Sequence, residues 1–102
     1  MPAILINKKN YKKEIKRCKT PVLLSFPTHG VSSLLLKQTA DTLSDEYKGK
    51  IKVGVTDSGN SELVKKYNIN FMPMTVLIKD NTVTDRIIGT ADIDSFRKIL
   101  LE

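Results

Sequence analysis

The chain has 102 residues and a formal charge of +6, with 40 % hydrophobic and 27 % charged residues. That is the composition of one globular domain over residues 1–102, not of a disordered tail, and no apolar run approaches the roughly 20 residues that span a bilayer. A single cysteine, Cys18, and a single histidine, His29, exclude an internal disulfide, a CxxC dithiol and multi-cysteine or His-pair metal sites.

No glycine-rich phosphate loop is present, so neither metal nor cofactor is expected. Met1–Ile6 is too short for the apolar core of a secretory leader and is followed by lysine and polar residues, which points to a cytoplasmic protein. There is no repeat, linker or low-complexity stretch.

Ala3–Ile6 has strand character. Asn7 or Asn10 is placed to cap a helix over about residues 9–19, on which Tyr11, Ile15 and Cys18 share one face. Cys18 therefore reads as a small buried hydrophobe and not as a reactive thiol. The apolar run Pro21–Pro27 suits a strand covered on both sides. Thr28–Val31 is a loop, and a long helix follows over about Ser32–Lys48. Ser32 or Ser33 would cap it, Leu36, Ala40, Leu43 and Tyr47 form its stripe, and Gly49 ends it.

Lys50–Thr56 alternates Ile51, Val53 and Val55 and reads as a strand. Ser58–Asn60 is a turn, and Ser61–Asn68 a short helix with Leu63, Val64 and Tyr67 inward. Met74–Lys79 and Thr82–Ile88 flank Asp80-Asn81, which makes a two-residue hairpin. Asp92 or Asp94 then caps a last helix with Ile93, Phe96 and Leu100 on one face. The expected class is α/β, with a central mixed sheet of about five strands and helices on both faces.

The charge is concentrated. Residues 1–20 hold Lys8, Lys9, Lys12, Lys13, Lys16, Arg17 and Lys19 against Glu14 alone, and the rest of the chain is neutral. Such a segment reads as a patch for nucleic acid, an acidic partner or an anionic membrane, or as a solvated helix face. With Tyr11 turned inward there is no base-stacking platform, so the solvated face is favoured and neither nucleic acid nor a membrane is expected as a partner.

The order of elements and several strings resemble the thioredoxin family over nearly the whole chain. The strings are PVLLSF, ADTLSDEYKGKIKV, VTDSGNSELVKKYNI and NFMPMTVLIKDNTV with Gly89 after it. Pro73 falls where that family has its cis-proline, which implies the thioredoxin fold. The departures are equally specific. The family's dithiol window falls on Gly30-Val31-Ser32-Ser33, or one residue later. Neither window holds cysteine. His29 stands near the position of the family's tryptophan, Ser25 stands at its buried acid, and Met74 follows the proline where threonine is usual.

Thiol–disulfide exchange needs one thiolate to attack and a second thiol to resolve the mixed disulfide. A helix N-terminus favours a thiolate, but it does not ionise a serine hydroxyl, which needs a base held by a third group. No disulfide-reductase activity is therefore expected, and no catalytic residue is assigned. What the resemblance leaves is a surface for a protein or an extended peptide, through the backbone of Met72 and an apolar rim. Its candidate residues are His29, Val31, Phe71, Met72, Pro73 and Met74, with Pro27 across the loop. Met72 is expected to be exposed, while Phe71 and Met74 suit either the rim or the core. The alternative is a thioredoxin-type reductase of cell redox homeostasis whose cysteines are replaced in this chain. The amides after Gly30, with His29, Ser32 and Ser33, would also suit an anion.

Overall fold

The computed structural model describes residues 3–28, 30–56, 61–89 and 92–101, and of Ser32, Ser33 and Ser61 only the backbone. The expected turn at Ser58–Asn60 lies outside the described residues. Five strands form one mixed sheet: β1 (Ile4–Ile6), β2 (Val22–Phe26), β3 (Lys52–Thr56), β4 (Met74–Lys79) and β5 (Thr82–Ile88), in the order β1-β3-β2-β4-β5. β3 runs parallel to both β1 and β2, whereas β4 is antiparallel to β2 and to β5. Every residue of β2 is buried. A continuous apolar run is what a central strand with both faces covered requires.

Helices α1 (Val31–Glu46) and α3 (Ile93–Leu100) cover one face, where Leu36, Ala40, Leu43 and Phe96 pack with Leu23, Val53 and Leu77. On the other face α2 (Ser61–Lys66) and the segment after β1 bring Ile15, Leu63 and Tyr67 onto Leu24, Phe26 and Val76. Removing each large side chain from water contributes about 1.5–3 kcal/mol. Gly54 lets β1 lie close to β3, because a Cβ there would stand 2.9 Å from Ile6 Cγ1.

The first helix differs from the expectation. Instead of a regular helix over about 9–19, the chain makes one widened π turn, Lys12–Lys16, in which the Arg17 N–H bonds the Lys12 carbonyl at 2.9 Å. Lys12 and Lys16, and Lys13 and Arg17, stand at i,i+4, where like charges destabilise a regular helix. Asn7 and Asn10 close its entry together: Asn7 Oδ1 accepts from the Asn10 N–H at 3.1 Å and Asn10 Oδ1 from the Asn7 N–H at 2.8 Å. Tyr11 and Cys18 do turn inward with Ile15, but both are only half-buried.

α1 begins one residue earlier than expected, and Gly30 is its N-cap. Gly30 has φ +86° and ψ −154°, a conformation essentially restricted to glycine. Ser32 and Ser33 thus lie inside the first turn, not at the cap. β3 begins at Lys52 and not at Lys50, because the N–H groups of Lys50 and Ile51 are held by the Tyr47 carbonyl at the helix end. α2 is shorter than expected, since Asn68 leaves the helical region with φ +58°. The hairpin and final cap follow the local chemistry. Asp80 and Asn81 both have positive φ, as a type I′ turn demands, and Asp92 accepts from the Ser95 N–H at 3.1 Å.

Candidate functional site

Three chain segments meet at one end of the sheet. Phe26, the last residue of β2, pairs with Met74, the first of β4, and Met74 pairs in turn with Ile88, the last of β5. This register sets the loop between β2 and α1 beside residues 71–73 and the exit of β5. The Gly89 N–H donates to the Pro73 carbonyl at 2.7 Å and ties the loop before β4 to that exit. The Met72–Pro73 peptide bond is cis. Among the described residues, neither the Met72 N–H nor its carbonyl has a hydrogen-bond partner.

The side chains here divide sharply. Val31 is 73 % exposed, Phe71 64 % and Met72 46 %, while Pro73 is half-buried. Met74 is 3 % exposed and belongs to the core cluster with Phe26, Tyr67 and Val76. Its assignment to the rim is therefore corrected: β4 begins at Met74, and pairing on both sides carries its side chain under the sheet. The Arg86 Nη1 lies 3.6 Å from its sulfur. His29 lies outside the described residues, as do the side chains of Ser32 and Ser33, so the anion reading has no geometry to stand on.

Sequence reasoning missed one member of the rim. Ile88 is 65 % exposed beside Gly89. Ile87 and Ile88 are adjacent in a strand, so one of the two must face away from its neighbour's side. That signal was present, but not which residue it exposed. Leu34 and Leu35 present the same case on α1, where only Leu36 of the Leu-Leu-Leu run is buried.

The floor of the site is polar without being ionisable. Ser25 and Thr75 are buried on adjacent strands with their hydroxyl oxygens 2.9 Å apart, and Thr56 Oγ1 donates to the Ser25 carbonyl at 3.4 Å. Cys18 lies beyond the opposite end of β2, with its Sγ 3.2 Å from Thr20 Oγ1. Strand β2 alone separates it from α1's first turn, roughly 13 Å along the sheet. No grouping of His, Cys, Asp and Glu suited to a metal occurs among the described residues. No described helix is long and apolar enough to cross a membrane.

Comparison with known proteins agrees with this architecture. The family model described as Thioredoxin matches residues 2–102. The chain is also 30 % identical to "Thioredoxin C-2" of Corynebacterium nephridii, over 89 % of this chain and 88 % of that protein.

Proposed function

Since the chain belongs to the thioredoxin family and has no cysteine at the start of α1, we propose that it is a non-catalytic module that binds a protein or extended peptide. The binding surface is the rim formed by Val31, Phe71, Met72 and Ile88. The observation that carries the reading is the Met72 backbone, which has no hydrogen-bond partner among the described residues and is flanked by exposed apolar side chains. An extended peptide pairing with that N–H and carbonyl gains main-chain hydrogen bonds, and its side chains rest on the rim. Methionine is unbranched and polarisable, so Met72 adapts to varied side chains.

Gly30 counts against a reductase that has merely lost its thiols. In the first of the two windows it takes the attacking cysteine's place, in a backbone conformation that cysteine tolerates poorly. Two assays test the reading. In a disulfide-reduction assay the chain as it stands should be inactive; turnover at thioredoxin-like rates overturns the proposal. Titrated with extended apolar peptides, the wild-type amide spectrum should shift at residues 71–74 and in the first turn of α1. Met72→Asp should abolish those shifts, and unchanged shifts in that variant remove the surface.

A further inference from the structure

A second surface lies at the opposite end of the sheet. The π turn presents Lys12, Lys13, Lys16 and Arg17, with Lys19 just after it, all exposed. Several basic side chains elsewhere in the fold find carboxylates: Lys8 faces Glu62, Lys37 faces Asp41, and Arg97 holds Glu46 and Asp94. None of the five cations of this segment has an ion-pair partner among the described residues. The one acid of the segment does not neutralise it. Glu14 is mostly buried and bonded to Lys52 Nζ at 2.9 Å, so it faces the body of the protein.

The charge continues into a cleft. Asn81 Nδ2 donates to the Lys16 carbonyl at 3.1 Å, which fastens the β4–β5 turn to the basic segment. Next to it opens a cleft of about 320 Å³ lined by Lys66, Asn68, Asn81, Thr82 and Arg86 among others, with no carboxylate in its wall. The Arg86 guanidinium is held in place by the Tyr67 carbonyl at 2.6 Å. The walls thus offer ammonium, guanidinium and amide donors, while Ile15 anchors the turn in the core.

We propose that this face docks an acidic, carboxylate-rich segment of a partner protein. The geometry disfavours two other anionic partners. Tyr11 cannot stack on a nucleobase, because Lys66 Nζ stands 5.0 Å over its ring and its hydroxyl is 3.0 Å from that of Tyr67. Residues 8–19 expose no large apolar side chain to enter a bilayer, which interfacial binding requires. Carboxylates need neither stacking nor insertion, only unpaired cations at a spacing that several acids can meet at once.

The test is fluorescence anisotropy of a labelled Glu-rich peptide titrated with the whole chain. Binding should weaken several-fold between about 50 and about 200 mM salt, as exposed charge pairs are screened. Lys13→Glu and Arg17→Glu together should weaken it about tenfold. Lys98→Glu, the same charge change on the exposed side of α3, should change it less than about twofold. Thermal melts establish that each variant is folded. Absence of binding, equal losses in Lys98→Glu, or tighter binding of single-stranded DNA or phosphatidylserine vesicles overturns the proposal. The rim is not involved, so Met72→Asp, which should abolish apolar-peptide binding, should leave binding of the Glu-rich peptide unchanged; a loss of Glu-rich peptide binding in that variant overturns the separation of the two surfaces.

Discussion

Ser25 on β2 and Thr75 on β4 face each other across the sheet, buried, with their hydroxyl oxygens 2.9 Å apart. This neutral pair occupies the place of the acid that the family resemblance assigns to Ser25. A lone buried carboxylate without a cation would be costly, whereas two hydroxyls satisfy one another at little expense. Ser25→Ala should destabilise the fold by about 1–3 kcal/mol, because it orphans the Thr75 hydroxyl. Adding Thr75→Val should cost less than the sum of the two single changes, with a coupling of about 0.5–3 kcal/mol. Urea titration of the four proteins measures it, and strict additivity would show that the bond is not formed.

Gly30 turns the chain into α1 with φ +86°. A Cβ there meets no atom within 4 Å, so space is not the obstacle. The cost of Gly30→Ala is backbone strain, about 1–3 kcal/mol. Gly30→Cys should cost a similar amount, so restoring a thiol at that position lowers the melting temperature. An unchanged melting temperature would contradict the assigned conformation.

Met72 and Met74 stand two residues apart with opposite fates. Met74→Ala removes a core side chain and should cost about 2–5 kcal/mol. Met72→Ala, at the exposed rim, should stay within about 0.5 kcal/mol. Equal losses in denaturant titrations would refute the division of this loop into rim and core.

Two carboxyls contribute to the acid side of the stability curve. Bonding to the Arg97 guanidinium holds Glu46 below its ordinary value of 4.5, and the Ser95 hydroxyl and N–H hold Asp92 below 3.8. A depressed folded-state value means that the contribution is complete above the unfolded value and is lost as pH falls through the folded one. The urea midpoint should therefore drop between about pH 5 and about pH 3, and Glu46→Gln with Asp92→Asn should flatten that drop. Both groups are exposed, so added salt should shrink the Glu46 contribution.

Local chemistry was enough to read much of this protein. Apolar runs, alternation and turn residues located all five strands and the Asp80-Asn81 hairpin and narrowed the last cap to Asp92 or Asp94, because each depends on residues a few positions apart. The absence of sulfur at the start of α1 is likewise a property of the sequence alone. The strand order, the Ser25–Thr75 pair, the withdrawal of Glu14 to Lys52 and the fastening of Asn81 to Lys16 were not legible. Each joins positions far apart in the chain, and no local period carries a cross-strand register. The fates of Phe71 and Met74 were undecided for the same reason: in a run of apolar residues at a strand's start, side-chain direction follows from where pairing begins, and only the register of Met74 with Phe26 and Ile88 settled that.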